Sequence, residues 1–265
     1  MIKKVSFFIR PDDKKSLVLI RELISFFESR SIVSMLPDHD IILEDERLAR
    51  YIAHPDDYSK QPDLIVVIGG DGTFLRAGRY FCETGKPLFG INRGRLGFLT
   101  DFDPQDAIPY LSMFLEGKLT ISERTMMEAH HIRFGQEIGC NIFFNDAVIS
   151  KGAFSRPIQL LLELDGNFLN QYLGDGIIIA TATGSTAYSL SAGGPIIFPT
   201  IPDVYIINPV CPHMLGIRPM IVPINSVLRA QVISEFEFLL LTIDGQEAIR
   251  IEGEDRIVFQ KSNKT

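Results

Sequence analysis

Apolar positions along the first hundred residues alternate between short continuous runs and one helical spacing. Lys4–Ile9 (KVSFFI) reads as a strand. From Lys14 to Arg30, residues Leu17, Ile20, Leu23, Ile24 and Phe27 recur on one helical face. Ser31–Leu36 is short and strand-like. Residues 37–62 hold three prolines and many acids, and the pattern predicts an irregular surface connection. Asp63–Ile68 (DLIVVI) is apolar throughout, as in a parallel strand buried on both faces. A helix over Thr73–Glu83 and a second buried strand over Pro87–Ile91 follow.

Strand, glycine turn, helix and strand make a βαβ unit with a right-handed crossover. Its strands run parallel, so the turn at Gly69 and the segment after Ile91 leave the same edge. Open α/β sheets bind ligands at that carboxyl edge. Residues 104–118 predict a bridging helix, with a break expected at Pro109. Beyond about residue 120 the pattern changes to short alternating or β-branched runs: 129–134, 142–149, 158–164, 176–180, 203–207, 227–233, 236–243, 248–251 and 256–259. Turn residues such as Asp165-Gly166-Asn167 and Asp244-Gly245 separate them. The expected class is an α/β N-terminal domain with a parallel, Rossmann-like sheet (1–102) and a mostly β C-terminal domain (103–265). The last residues are expected to pack back on the first domain.

Composition narrows the function. Hydrophobic residues are 46% and charged residues 22%, enough apolar content for a full core. The net charge of -7 and a pI near 5.3 argue against a nucleic-acid partner. No apolar run approaches the ~18 residues of a membrane span, and the N-terminal apolar run is too short for a signal peptide. Cys82, Cys140 and Cys211 are odd in number and widely spaced. They form neither a disulfide framework nor a zinc pattern, and a reducing cytoplasm is expected.

The stretch Gly69-Gly70-Asp71-Gly72-Thr73 stands between strand and helix. Glycine N–H groups and a helix N-terminus favour a phosphate, yet Asp71 adds a negative charge. No Lys follows the last glycine, so this is not a P-loop; a plain structural turn is the alternative. Asn92–Phe102 (NRGRLGFLTDF) follows the partner strand. Arg93 and Arg95 offer positive charge there and Phe98 an aromatic face, although taken by itself an ordinary loop with solvated arginines and a buried Phe is the better reading. In Gly174–Gly194 (GDGIIIATATGSTAYSLSAGG), a buried strand runs into Thr181, Thr183, Ser185 and Thr186, then a helix-capable Ala187–Ser191. Those hydroxyls exceed what helix capping requires and suit sugar hydroxyls and phosphates. Asn145-Asp146 ends a strand-like run, where an Asx turn is the simpler reading. His213 and Gln246 are weak signals alone. His130 and His131 lack a partner at metal-ligand spacing and read as structural, so no metal-binding residue is assigned.

Together, GGDGT, the Asn-x-Gly-x-Leu-Gly-Phe-Leu loop, Asn-Asp, the DG-to-TGSTAY-to-GGP segment, CPH…RP and DGQ resemble the NAD kinase family, from about Asp63 to Gln246. GGDGT alone is shared with diacylglycerol, sphingoid and phosphofructokinase relatives; TGSTAYSLSAGGP is far more specific. The chain departs from the family at Ala182, where proline is usual, and at Leu173, where a basic residue is common. It also ends at Thr265 without the final amphipathic helix of many relatives.

The resemblance implies transfer of a phosphoryl group from ATP or polyphosphate to the adenosine-ribose 2′-hydroxyl of NAD, giving NADP, at a site between the two domains. Asp71 is then the general base, with Gly69, Gly70, Gly72 and Thr73 as the phosphate loop. Asp71, Gly72, Phe98, Asn145, Asp146, Arg156, Asp175, Thr183, Thr186, Ala187, Tyr188, Ser191 and Gln246 are implied NAD contacts. Mg²⁺ or another divalent cation accompanies ATP, and a homodimer or homotetramer is implied. A lipid kinase sharing GGDGT and a catalytically silent dinucleotide-binding regulator are the competing readings. No membrane-binding amphipathic stretch supports the first of these.

Overall fold

Continuous apolar runs become the central strands of a parallel sheet. In the first unit β1 (Lys4–Phe8), β2 (Val33–Met35), β3 (Leu64–Gly69) and β4 (Leu88–Asn92) pair in the order β2-β1-β3-β4, every neighbour parallel. The structure, a computed structural model, describes residues 2–94, 97–152, 156–214, 216–233 and 239–265. Both faces of the sheet are covered. On one, Val5, Phe7, Val66, Ile68 and Ile91 pack with Leu23, Ile24 and Phe27 of α1 (Leu17–Glu28). On the other, Met35, Ile65 and Val67 meet Ala77 and Phe81 of α4 (Asp71–Phe81). This double burial is why β3 is apolar at successive positions.

Residues 37–62 are not the irregular connection that their prolines and acids predict. They form α2 (Asp40–Leu43), a 3₁₀ turn (Ala49–Tyr51) and α3 (Pro55–Lys60). Ile41, Ile42 and Leu48 enter the α1-side core, and buried Tyr58 donates its hydroxyl to the Phe7 carbonyl at 2.8 Å. Segments this short carry no readable helical period. The predicted break at Pro109 is also absent. A 3₁₀ turn (Pro104–Asp106) leads into α5 (Ala107–Leu115), where Pro109 sits in the first turn and needs no N–H.

The chain divides after Ile121 rather than after residue 102, because Ala107 and Leu111 of α5 are buried in the first core. The second unit is two six-stranded antiparallel sheets. One runs β6-β5-β16-β13-β8-β9, from β5 (Met127–Arg133), β6 (Gln136–Phe143), β8 (Ile158–Leu164), β9 (Asn167–Gly174), β13 (Leu228–Val232) and β16 (Arg256–Lys261). The other runs β12-β11-β10-β7-β14-β15, from β7 (Asp146–Lys151), β10 (Gly176–Thr181), β11 (Val204–Val210), β12 (Met220–Pro223), β14 (Leu239–Ile243) and β15 (Glu247–Ile251). Alternate residues of both sheets share one core, among them Leu160, Leu228 and Phe259 with Ile149, Ile177 and Leu241. Of the expected strand over 236–243, residues 236–238 lie outside the described residues. β16 pairs with β5 and β13, so the C-terminal strand belongs to the second unit's sheet.

One buried charge network ties β5 to the turn before β16. Asp255 accepts from Arg133 Nε (2.9 Å) and Nη2 (2.8 Å) and sits 2.7 Å from His131 Nε2. Burial works to raise the Asp255 pKa. The bonds from Arg133, the Glu252 N–H and His131 outweigh it, and the net value falls to about 2. A depressed carboxylate contributes stability that is present above its ordinary pKa and lost as pH falls through the folded value. Asp255→Asn is therefore expected to cost about 2–3 kcal/mol at neutral pH. The gap from the parent should narrow between pH 4 and pH 2, as followed by urea denaturation. A gap independent of pH would show that packing, not charge, carries the effect.

Candidate functional site

In the first unit the site begins where β3 runs out of side chains. Gly70 caps α4 in extended backbone, and α4 starts at Asp71, two residues earlier than its apolar spacing predicts. Asp71 thus stands in the first helical turn, where the helix dipole favours a carboxylate. Its oxygens reach across to the loop after β4. Oδ2 accepts from Phe98 N at 2.8 Å; Oδ1 accepts from Leu99 N at 3.1 Å and, at 3.4 Å, from the Thr100 hydroxyl. The loop is held shut behind this contact by Asn92, whose Oδ1 accepts from Gly94 N at 2.8 Å, and by Arg93 N donating to Gly69 O at 3.1 Å.

Two glycines here answer to fold, a third does not. A Cβ at Gly97 would lie 2.5 Å from Asp71 Cγ, and one at Gly69 would lie 2.5 Å from Thr73 Oγ1. A Cβ at Gly70 would meet nothing within 4 Å. Thr73 is buried and its N–H donates to Gly70 O at 2.9 Å. Phe98 is 71% exposed, so it is not the buried Phe of an ordinary loop. Arg95 lies outside the described residues.

In the second unit Asn145 does not end a strand. It sits in the two-residue turn between β6 and β7, which the sequence pattern merges into one run. A carboxylate far along the chain forces the turn. Asp244 accepts from the amides of Phe144 (3.1 Å), Asn145 (2.7 Å) and Asp146 (3.1 Å). Asp146 is buried, and its pKa is pushed up to about 7, first by burial and then by the neighbouring Asp244 charge. Asn145 Oδ1 is buried and without a partner among the described residues. An orphaned acceptor of this kind costs stability unless a ligand donor meets it.

The turn after β10 packs directly against Asn145. Thr181 donates its N–H to Asn145 O (2.9 Å) and its hydroxyl to Phe144 O (2.7 Å), and accepts from Gly184 N (3.1 Å). Ser185 Oγ bonds Ala182 O (2.7 Å) and both backbone groups of Ile197 (3.0 Å each). Two of the four hydroxyls read as ligand groups are therefore structural. Thr183 is buried, and Thr186 donates to Thr183 O at 3.4 Å. Only Tyr188–Ser191 is α-helical (α6), and Tyr188 opens it 49% exposed, so it is not a core tyrosine. Ala187 is half-buried and Ser191 exposed; Arg156 is exposed, and Gln246 half-buried in the turn after β14. Asp175 pairs with Lys151 Nζ at 2.7 Å, a cation supplied from β7 where Leu173 supplies none. Asp244, Thr100 and Lys151 escape sequence reasoning, because each acts on a backbone or side chain remote in the chain.

His131 is buried against Asp255, as a structural histidine should be. His130 is not alone: Glu128 lies two residues before it on β5, and strand pairing sets Cys140 opposite it, a neighbour that spacing along the chain does not show.

The raised Asp146 pKa has a measurable consequence. Folded protein holds a proton there that the unfolded chain releases above about pH 4, so stability falls as pH rises toward 7 and is level beyond. Asp146→Asn is expected to be more stable than the parent at pH 8 by about 1–3 kcal/mol and equal to it near pH 4. Equal stability at both pH values would place a solvated, ordinary carboxylate at this position.

The first unit is thus a Rossmann-like sheet with a carboxylate at a glycine-flanked helix start, and the second a pair of antiparallel sheets with the Asn145 acceptor unmatched among the described residues. Known proteins share these two units. Residues 5–119 match the ATP-NAD kinase N-terminal domain and residues 144–265 the ATP-NAD kinase C-terminal domain. The chain belongs to the ATP-NAD kinase family. It is 37% identical over 263 residues to the NAD kinase of Geotalea daltonii (99% of this chain, 91% of that one). It is 39% identical over 243 residues to that of Thermoanaerobacter sp. strain X514 (89% and 86%). Among solved structures, yeast NADH kinase complexed with NADH superposes with a TM-score of 0.89 at 27% identity, covering 98% of this chain and 80% of that one. An NAD kinase from Archaeoglobus fulgidus in complex with ATP shares the fold, with a TM-score of 0.73 at 23% identity over 99% and 90% of the two chains.

Proposed function

We propose that the protein phosphorylates the adenosine-ribose 2′-hydroxyl of NAD with ATP as donor, giving NADP. The observation that carries the reading is the carboxylate of Asp71 in the first turn of a glycine-flanked helix. A phosphate-only loop has no use for it, whereas a hydroxyl acceptor needs a group to take its proton. Oδ2, met only by Phe98 N among the described residues, keeps a lone pair for that proton, whereas Oδ1 is taken by Leu99 N and the Thr100 hydroxyl. Asn145 and Asp146 take sugar hydroxyls, supported by the orphaned Asn145 Oδ1. Gly69, Gly70, Gly72 and Thr73 form the phosphate loop. Phe98, Arg156, Asp175, Thr183, Thr186, Ala187, Tyr188, Ser191 and Gln246 complete the dinucleotide contacts.

Mg²⁺ or another divalent cation enters with ATP and neutralises charge on the phosphates. Among the described residues the one group of three close metal donors is Glu128, His130 and Cys140. Exposed Tyr188, Leu190, Ile196, Phe198 and Ile201 crowd one short stretch of the second unit. An exposed apolar stretch of this kind is what a subunit interface in a homodimer or homotetramer would cover, which supports the assembly implied above. The free cysteines fit a reducing cytoplasm, and no described helix is long and apolar enough to cross a membrane.

Incubation with NAD and Mg-ATP, followed by NADP detection, tests the reading; a polyphosphate arm separates the donors. NADP formation without diacylglycerol or sphingoid phosphorylation is the expected result. Binding of NAD without turnover would make the protein a regulator. Gly70→Ala probes the loop itself. Nothing in the fold opposes a methyl there, so stability should hold while turnover falls about tenfold or more as the methyl meets the ligand phosphate. Full activity in that variant would remove Gly70 from the phosphate loop.

A further inference from the structure

Strand pairing in the second unit assembles donors that the proposed kinase chemistry does not use. In β5 the residues Met127, Ala129 and His131 face inward, which turns Glu128 and His130 outward. The β5–β6 register sets Cys140 directly opposite His130, and the β5–β16 register sets Gln260 opposite Glu128. His130 Nε2 lies 3.1 Å from Glu128 Oε2 and 3.8 Å from Cys140 Sγ. All three donor atoms fall within 4.8 Å of one another.

We propose that Glu128, His130 and Cys140 bind a single Zn²⁺ ion on the outer face of this sheet. Thiolate, imidazole and carboxylate together are the donor set of a borderline-soft cation, not of Mg²⁺ or Ca²⁺. Tetrahedral zinc with ordinary bond lengths holds such donors roughly 3.3–3.6 Å apart, between the 3.1 and 3.8 Å that separate His130 Nε2 from Glu128 Oε2 and Cys140 Sγ. The supporting contacts are also those of a metal site. Glu137 Oε2 sits 3.1 Å from His130 Nδ1, and a proton shared there leaves the Nε2 lone pair pointing at Glu128 and Cys140. Ser262 donates to Glu128 Oε1 at 2.8 Å and fixes the other carboxylate oxygen. Gln260 Nε2 lies 3.1 Å from His130 Nε2 and donates to that lone pair in the metal-free site, a hydrogen bond that the ion displaces on binding. The Glu128 and His130 side chains are 17% and 19% exposed, shielded yet reachable. On binding, Cys140 gives up its thiol proton to solvent and the ion ties β6, β5 and β16 together.

The competing arrangement is an imidazolium bridging Glu128 and Glu137 with no affinity for a metal. Metal-stripped, untagged full-length protein titrated with Co²⁺ and then Zn²⁺ separates the two. One Co²⁺ per chain should bind and produce thiolate charge-transfer and tetrahedral ligand-field bands, which Zn²⁺ bleaches stoichiometrically. Cys140→Ser should abolish the charge-transfer band, and His130→Gln should weaken Zn²⁺ binding at least tenfold. Glu137→Gln, which only orients the imidazole, should weaken it about 10–100-fold. Zn²⁺ should raise the melting temperature of the parent but not of Cys140→Ser. Cys82→Ser and Cys211→Ser are controls that should change nothing. Absence of saturable binding, a Co²⁺ spectrum without a thiolate band, or an unaltered Cys140→Ser titration would overturn the assignment.

Discussion

Asp71→Asn is expected to lower NADP formation by about 10²–10⁴-fold, the usual worth of a general base. The substitution keeps the shape and removes the proton acceptor. It also has a structural side. Asp71 accepts from the amides of Phe98 and Leu99, and an Asn amide can satisfy only one of those donors while turning its own N–H toward the other. Anchoring and proton transfer are therefore separable by what changes with turnover. If proton acceptance is the role, kcat falls while NAD affinity and melting temperature stay near parental values. If Asp71 only secures the loop, KM for NAD rises and the melting temperature drops in step with activity. Thr100→Val removes a third and longer contact without touching the carboxylate, and should leave kcat within about threefold, the lower end of one hydrogen bond's worth. Turnover above about a tenth of parental in Asp71→Asn, a difference of only ~1.4 kcal/mol, would end the assignment of a base.

Gly184→Ala is expected to destabilise the second unit by about 3 kcal/mol or more. Its Cβ would overlap the Asn145 carbonyl oxygen and lie 2.5 Å from the carbonyl carbon. Neither side can yield. The Asn145 carbonyl is held by Thr181 N, the next residue Asp146 pairs with Ala180 in the sheet, and the Gly184 N–H is fixed to Thr181 Oγ1. The strain thus pushes on the turn that carries Asn145 and Asp146, and weaker NAD binding should accompany the lower stability. Gly139 in β6 is the control, since a methyl there meets nothing within 4 Å and φ is not left-handed. Gly139→Ala should stay within about 0.5 kcal/mol of parental. A parental urea midpoint for Gly184→Ala would mean the close approach does not exist in solution.

Much of the first unit was legible because its signals are local. β3 is apolar without interruption since helices cover both faces, and glycines end it where α4 begins. Its strand, turn and helix could be placed from consecutive residues, and Asp71 with them. Residues 37–62 were not legible, since Ile41, Ile42, Leu48 and Tyr58 are buried singly by distant α1 and β1 rather than by any periodic face. β9 and β12 escaped for a related reason. They lie at sheet edges, and exposed Phe168, Leu173 and Ile221 blur the alternation that marks a half-buried strand.

What the amino-acid sequence determined by itself was whatever is decided within a few neighbours: the βαβ unit, the glycine turn with its acid, the change to β texture, and the motif set of the family. The tertiary structure alone decided which polar groups are spoken for. Thr181 and Ser185 look identical in sequence to Thr183 and Thr186, but their hydroxyls are consumed by the Phe144 and Ile197 backbone. Asn145 turns between two strands because Asp244 gathers its amide and those of both chain neighbours. His130 meets Cys140 only through a strand register. A hydrogen bond or a shared charge depends on separation in space, and chain folding makes that separation independent of separation in sequence.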